Sequence, residues 1–272
     1  MKLKKFRMFL INMPKDKQRN KILDRILLTY FSFKKMIFFT PEKINANQII
    51  IHHHLGLGDN IVCFGLVNKL SEKYEKIYLP IKDRYADMIR YLYKDNKKIK
   101  FFEVSYSNSN FDVLMFSNKN DLPILRIGFE KQKNEPFNTW FYDQLGFDYS
   151  LSYDYFLLKN HQEKAEQLYK HLIKFYNITD EKYQLVHSES YNDKFTLNIN
   201  QDLDSIYVEK DSDIFKNIFL YTKVIENAKE IHCINSSFIH LVDRIAEDKP
   251  LFYHKIRHSN VFLSDKWQVV NY

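Results

Sequence analysis

The stretch from His52 to Gly65, HHHLGLGDNIVCFG, most constrains how this chain can fold, because it holds three of the chain's five glycines. A β-branched run at residues 49–51 precedes it and an apolar helical pattern follows it. Together they predict a strand, a tight glycine turn and a helix, which is the first half of a βαβ unit. Backbone N–H groups and the positive end of the helix dipole would face a ligand at the turn. Asp59 and Asn60 lie at this junction, where such residues also serve as a plain N-cap.

A second segment repeats this arrangement about 175 positions later. Residues 230–234 predict a strand, residues 235–237 a small polar turn, and residues 238–245 a helix with one apolar side. Asp243 and Arg244 lie on another side of that helix. We expect these two to form an exposed pair or a helix-end contact.

The rest of the chain alternates predicted strands and helices around these two junctions. Strands are predicted at residues 75–82 (ending near Pro80), 99–105, 111–117, 122–129, 183–188 and 249–256, with shorter ones at FTLNIN and SIYVEK, and helices at 84–94, 138–145, 161–176 and 213–229. Such alternation is typical of parallel sheets covered by helices. The fold class is therefore α/β, with two Rossmann-like lobes that face a central cleft and a basic helical arm in front. We place the arm at residues 1–47, the N-terminal lobe at 48–155 and the C-terminal lobe at 156–272. If the two lobes face each other, both turns lie on one crevice, at the carboxyl ends of the strands.

The net charge of +7 is concentrated in residues 1–40, which carry a balance of +9, whereas the remainder carries −2. A nucleic-acid-binding body would need a basic face, so no nucleic acid is expected as a partner. The only two cysteines, Cys63 and Cys233, lie in apolar contexts, which indicates a reducing compartment. The sequence shows no apparent signal peptide or membrane span. We therefore predict a cytoplasmic protein, with peripheral attachment to the inner face of a membrane as an alternative.

Two segments have alternative interpretations. Residues 1–40 are predicted to contain one basic amphipathic helix, whose apolar stripe is formed by Ile22, Leu23, Ile26, Leu27, Tyr30 and Phe31. This helix lies either on an anionic membrane surface or on the body with its basic side in water. Residues 131–160 are rich in aromatic side chains. They either line a cleft between the lobes or pack over a sheet as a connector.

The two junctions resemble motifs of the GT-B glycosyltransferases, and most closely of the heptosyltransferase-like group (glycosyltransferase family 9). LGLGDNI, residues 55–61, is similar to the group's N-lobe motif and places Asp59 on its catalytic aspartate. NSSFIHL, residues 235–241, has the spacing of Asp-Thr-Gly-x-x-His-Leu, with Ser236 on the threonine and His240 on the histidine. Asn235 replaces the aspartate and Ser237 replaces the glycine, and the second change makes close backbone approach harder.

This resemblance implies a transferase that moves a sugar from a nucleotide-sugar donor to a glycan or lipid-linked acceptor, in the setting of polysaccharide assembly. Asp59 would take the proton from the acceptor hydroxyl, and the second turn would stabilise the leaving diphosphate without a metal or other cofactor. Lys194 is the candidate for the family's basic phosphate-binding residue. The expected donor-binding residues are Asn235, Ser236, Ser237, Phe238, His240, His187, Ser188 and Lys194, and the expected acceptor-binding residues are His54, Gly56, Gly58 and Asn60.

Several alternatives stand beside this hypothesis. A sugar-nucleotide epimerase with the same fold would need paired acids and bases, and Asp59 is the only clear candidate. A degenerate, non-catalytic lobe pair tethered to a membrane would explain the changes at Asn235 and Ser237. A metal site at residues 52–54 is disfavoured, because no carboxylate or cysteine stands at ligand spacing.

Overall fold

The computed structural model describes residues 36–129, 136–158, 162–180, 182–190, 193–256 and 261–272. The predicted amphipathic helix of the arm lies outside these residues. Within them, the chain forms two five-stranded sheets in which all neighbouring strands run parallel. None of the helices in these ranges is long and apolar enough to cross a membrane.

The N-terminal sheet has the strand order β1-β5-β2-β3-β4. Its strands are β1 (Ile37–Phe38), β2 (Gln48–His52), β3 (Lys76–Lys82), β4 (Ile99–Val104) and β5 (Ile124–Arg126). Its helices are α1 (Leu57–Val62), α2 (Phe64–Lys73), α3 (Ala86–Leu92) and α4 (Ser109–Asn120), with short 3-10 turns at Pro41–Lys43 and Asp83–Tyr85. Strand β2 is central, so the glycine turn that follows it leaves the middle of the sheet.

The C-terminal sheet has the order β10-β9-β8-β6-β7. Two short helices, α5 (Trp140–Asp143) and α6 (Leu151–Asp154), and the longer α7 (Gln162–Phe175) precede it. The sheet itself contains β6 (Tyr183–His187), β7 (Asp204–Tyr207), β8 (Glu230–Ile234), β9 (Leu251–Lys255) and β10 (Trp267–Asn271), with a 3-10 turn at Ile218–Leu220 and helices α8 (Thr222–Asn227) and α9 (Ser237–Ile245). Strand β8 is central here, so the second turn also leaves the middle of its sheet.

One hydrophobic core extends through both halves of the chain. It contains Ile49 and Ile51 of β2, Ile61 of α1, Phe238 of α9 and Ile231 of β8, all fully buried. Near-continuous apolar strands of this kind are what a parallel sheet covered on its faces requires. The two sheets are therefore joined through the helices that follow their central strands.

The prediction of a strand at residues 111–117 is wrong, because this segment belongs to helix α4. Val113, Leu114 and Ser117 are buried at helical spacing, against Ile50 and other residues of the N-terminal sheet. A short apolar run of this length does not distinguish a strand from a helix. Asp112 accepts hydrogen bonds from the Ser105 N–H (2.7 Å) and hydroxyl (2.6 Å), so it holds the start of this helix.

Other predicted boundaries also differ from the structure. β3 continues through Pro80. Proline has no N–H group, but the last residue pair between β2 and β3 is Ile50 with Tyr78, so the proline costs no hydrogen bond between these two strands. FTLNIN contains no strand, and a single bridge joins Glu189 to Lys194. The helix predicted at 213–229 is shortened to Ile218–Leu220 and α8. Near the C-terminal end of the described residues, β10 pairs with β9, and the loop before β10 contacts Asn138 through the Phe262 carbonyl.

A tyrosine hydroxyl separates α1 from α2. Tyr142 donates to the Val62 carbonyl (2.7 Å) and accepts from the Leu66 N–H (3.2 Å). In an uninterrupted helix these two backbone groups would bond to each other, four residues apart. The inserted hydroxyl satisfies both groups and allows the helix to break at Cys63.

We therefore expect Tyr142→Phe to lower the free energy of unfolding by about 1–3 kcal/mol, because it leaves buried backbone groups without a partner. Urea denaturation at pH 7 measures this loss. Tyr93→Phe is the matched control, since the Tyr93 hydroxyl is buried and has no hydrogen-bond partner in the described part of the chain. An equal loss in both variants would contradict the role of the inserted hydroxyl.

Candidate functional site

The turn that follows β2 and the turn that follows β8 meet where helix α1 contacts helix α9. A Cβ added to Gly58 would lie 3.4 Å from His240 Cδ2 and 3.5 Å from the Ser237 Cα. The two motifs, far apart in sequence, are thus brought side by side. This is the arrangement that the sequence predicts for two lobes facing one crevice.

A cavity of about 530 Å³ opens at this contact. Five residues predicted for the site line it, namely Gly58, Asp59, Asn235, Ser236 and His240. The other lining residues are Val62, Phe137, Asn138, Trp140 and Val261. Its size is in the range typical of small-molecule sites. The cavity is polar where the two turns meet and aromatic on the side of residues 137–140.

Asp59 is both a helix cap and a cavity residue. Its Oδ2 accepts the Gly56 N–H (3.0 Å), as the third residue of a capping box does. A Cβ at Gly56 would lie 2.6 Å from this oxygen, so glycine makes the bond possible. Within the described residues Oδ1 makes no hydrogen bond. One carboxylate oxygen therefore fixes the side chain and the other is left for a ligand.

Asn60 and His54, both predicted to bind the acceptor, support the site from behind the cavity surface. The buried Asn60 amide donates to the Gly56 carbonyl (2.8 Å) and holds the turn. The His54 ring stacks on Phe137, with 5.0 Å between ring centroids, and also contacts Phe129. Neither side chain is among those that line the cavity.

Ser236 caps helix α9 and is linked to the end of β6. Its hydroxyl accepts the Phe238 N–H (3.2 Å) and lies 3.2 Å from His187 Nδ1. The His187 ring stacks on Phe238, with 5.2 Å between centroids. Burial lowers the pKa of His187 to about 4, so the imidazole is neutral at pH 7. The direction of the Ser236–His187 bond therefore depends on the tautomer of His187.

His240 lies at the cavity with its imidazole enclosed. It is only 8% exposed, and its Nδ1 is buried and makes no hydrogen bond to any residue that the structure describes. Burial, together with the Arg244 guanidinium, lowers the pKa of His240 to about 3. A buried polar atom without a partner is uncommon and costs free energy.

Two further predicted donor residues are placed elsewhere. Lys194 forms ion pairs with Glu209 and with Glu189 (3.6 Å), and it does not line the cavity. Ser188 is buried at the end of β6, where its carbonyl accepts the Phe195 N–H (3.0 Å). The structure therefore does not bring a lysine to the cavity from this part of the chain.

The expectation of an exposed Asp243–Arg244 pair is wrong. Asp243 is 1% exposed and accepts hydrogen bonds from Tyr153 (2.8 Å), Ser264 and Trp267 (2.9 Å). Arg244 donates to the carbonyls of Ser152 and His240 and to the Tyr149 hydroxyl. Charged residues in the last turn of a helix normally have their side chains on the protein surface. Here it ties α9 to the segments on either side of it.

Phe137, Asn138 and Trp140 are cavity residues that motif-based reasoning does not single out. The sequence feature that indicates them is the abundance of aromatic side chains in residues 131–160. Of the two interpretations of that stretch, the one in which it lines a cleft is correct for these three residues. His52 and His53, by contrast, are buried, and burial lowers the pKa of each. In the described ranges no group of three or more His, Cys, Asp or Glu side chains is placed to hold a metal ion.

The neutral state of His240 makes stability depend on pH. The unfolded chain binds a proton at His240 below its ordinary pKa of 6.5, whereas the native protein does not until about pH 3. Stability is therefore lost as the pH falls through this window. Between pH 7 and pH 5 we expect wild type to lose on the order of 2 kcal/mol more than His240→Gln, measured by urea denaturation. Equal losses in the two proteins would contradict a neutral, buried His240.

The sequence matches no protein-family model and no curated protein. Solved structures similar to the chain include the following two. The glycosyl transferase family 9 protein from Veillonella parvula DSM 2008 superposes with a TM-score of 0.54 at 10% identity, over 85% of this chain and 87% of that one. The ADP-heptose lps heptosyltransferase II of E. coli has a TM-score of 0.46 at 12% identity, over 83% of this chain and 90% of that one. The first likeness shows a shared fold, so the prediction of two α/β lobes in a GT-B-like arrangement is confirmed.

Proposed function

We propose that this protein is a glycosyltransferase that moves a sugar from a nucleotide-sugar donor to a glycan or lipid-linked acceptor, without a metal ion. The observation that carries the proposal is the meeting of Asp59 with Ser236 and His240 at one cavity. One turn supplies a carboxylate, and the other supplies hydrogen-bond donors at a helix N-terminus. An inverting transfer of a glycosyl group from a diphosphate uses both, a base for the acceptor hydroxyl and donors for the leaving phosphate.

The α9 turn would hold the diphosphate of the donor. The N-terminus of this nine-residue helix presents backbone N–H groups and the positive end of its dipole. The Ser236 hydroxyl and the neutral His240 imidazole add side-chain donors. Negative charge grows on the diphosphate as the glycosidic bond breaks, and donors that are already in place stabilise it.

Asp59 would act as the general base. The acceptor oxygen attacks the anomeric carbon, the bond to the diphosphate breaks, and its electron pair leaves with the phosphate. The acceptor proton passes to Asp59, whose Oδ2 is fixed by Gly56. This assignment applies to an inverting displacement. In a retaining enzyme Asp59 would position the acceptor instead.

The cavity favours transfer over epimerisation. Among the described lining residues, the titratable side chains are Asp59 and His240, and His240 is neutral with a pKa far below 7. An epimerase needs an acid and a base of matched pKa on either side of the sugar. Detection of a sugar transferred to a separate acceptor would distinguish the two reactions.

Asp59→Asn should lower the rate of transfer by about 10²–10⁴, because an amide cannot take the proton. The amide oxygen can still accept the Gly56 N–H, so the thermal midpoint should stay close to that of wild type. Initial rates at saturating donor, beside a melting curve, measure both. Asp59→Ala is the control that loses the cap as well. An Asp59→Asn protein with wild-type rates would exclude the proposed base.

A nucleoside diphosphate should raise the thermal midpoint of wild type, and the rise should persist in EDTA. Ser236→Ala should weaken this stabilisation, because it removes a phosphate donor, and it should also cost about 1 kcal/mol of stability through the lost N-cap. Ser236→Thr keeps the hydroxyl and the cap and is the matched control. If no nucleotide stabilises wild type, the non-catalytic alternative would replace the transferase proposal.

A further inference from the structure

We infer that His187 is a positioning residue of the proposed donor site: its Nδ1–H holds the Ser236 oxygen, so that the Ser236 hydroxyl proton is left for the diphosphate of the donor. The inference rests on the proposed transferase function. It goes beyond that function by giving a role to a side chain that does not line the cavity. His187 acts through Ser236 and does not itself touch the donor.

The C-terminal sheet places His187 beside the α9 turn. His187 is the last residue of β6, which runs parallel to β8 and pairs His187 with Cys233. The carboxyl ends of the two strands therefore lie at the same edge of the sheet, and the turn that carries Ser236 follows β8 directly. Side chains two positions apart on a strand share a face, so His187 is on the side of Leu185, which is buried in the same core as Phe238. The neighbouring strand end thus reaches the Ser236 hydroxyl from the core side.

The His187 ring has a fixed place in this core. It stacks on Phe238 with 5.2 Å between centroids and an interplanar angle of 20°, and Phe238 in turn meets Tyr221 at 5.6 Å and 81°. Phe238 and Tyr221 are both fully buried. Burial lowers the pKa of His187 to about 4, so at pH 7 the ring is neutral and carries one N–H. Only the tautomer is left to choose.

The tautomer of His187 decides where the Ser236 proton goes. The hydroxyl oxygen has two lone pairs and one proton. One lone pair accepts the Phe238 N–H (3.2 Å), and Nδ1 of His187 lies 3.2 Å away on another side. If Nδ1 accepts the hydroxyl proton, none is left for a phosphate oxygen, which can only accept. If Nδ1–H donates, both lone pairs are occupied and the proton is available to a ligand in the cavity that Ser236 lines.

A bound diphosphate therefore selects the Nδ1–H tautomer. The hydrogen bonds then run in one direction, from His187 Nδ1–H to the Ser236 oxygen and from the Ser236 hydroxyl to the phosphate. Each bond in such a chain polarises the next, so a hydroxyl that accepts a hydrogen bond becomes a better donor. His187 strengthens in this way a group that stabilises charge on the leaving diphosphate.

Two substitutions separate the nitrogen from the ring. His187→Phe keeps a ring to stack on Phe238 and removes Nδ1, whereas His187→Asn keeps an amide N–H near the place of Nδ1 and removes the ring. We expect His187→Phe to weaken binding of a nucleoside diphosphate by about two- to tenfold, the size of one net hydrogen bond, and His187→Asn to weaken it less. A role in packing alone predicts the reverse order. Calorimetric titration in EDTA, with whichever of ADP, GDP, UDP and CDP binds wild type most tightly, measures both.

The loss in His187→Phe should depend on the Ser236 hydroxyl. In a Ser236→Ala background the same substitution should leave the affinity nearly unchanged, because no hydroxyl remains to be oriented. His171→Phe makes the same replacement on α7, away from the residues that line the cavity, and should bind as wild type does. Melting curves of the variants show that they fold. An equal loss from His187→Phe with and without the hydroxyl would overturn the inference.

The tautomer can also be observed directly in wild type. Nuclear magnetic resonance of nitrogen-labelled histidine distinguishes a protonated from an unprotonated ring nitrogen, and the signals absent from His187→Phe identify His187. With the nucleoside diphosphate bound at pH 7, we expect the proton on Nδ1 and none on Nε2. A bound state with the proton on Nε2 would overturn the inference even if Ser236→Ala bound too weakly for the titrations.

Failure of the proposed function gives a different result, because then none of the four nucleoside diphosphates binds wild type and the inference falls with it. Binding to wild type with the same affinity in His187→Phe removes the positioning role and leaves the transferase proposal in place.

Discussion

A single buried carboxylate, Asp243, joins the parts of the chain that build the cavity. It accepts four hydrogen bonds, one from Tyr153, two from Ser264 and one from Trp267. Desolvating a carboxylate is expensive, and this number of donors is what makes its burial tolerable. Because the donors come from α6 and from the C-terminal segment, the helix that carries Ser236 and His240 is fixed to both.

Arg244 extends the same junction toward the cavity wall. It donates to the Ser152 carbonyl and the Tyr149 hydroxyl, and Tyr149 in turn accepts from Asn138. A chain of polar contacts thus runs from α9 to Asn138, which lines the cavity together with Phe137 and Trp140. Together with a hydrophobic core shared by both sheets, it holds the polar and aromatic sides of the cavity in one arrangement.

The sequence predicted those features that depend on local pattern. Apolar strands that end in small polar turns, followed by an amphipathic helix, correctly indicated the junctions at Gly56 and Ser236 and the two-lobed architecture. Features that depend on distant contacts were missed. The apolar run 111–117 is a helix because Val113 and Leu114 have a sheet face to cover. Asp243 is buried because Ser264 and Trp267 supply its donors from a segment that no pattern on α9 reveals.

One departure of the second turn from the motif, the serine at position 237, can be examined from the same geometry. Glycine on one side of a contact allows two segments of backbone to approach closely. Ser237 stands where the family has glycine, but Gly58 faces it, and a Cβ at Gly58 would already lie 3.5 Å from the Ser237 Cα. The contact between the two helices therefore accommodates a serine at position 237, because Gly58 faces it. The case for the proposed transferase depends on the chemistry of Asp59, Ser236 and His240.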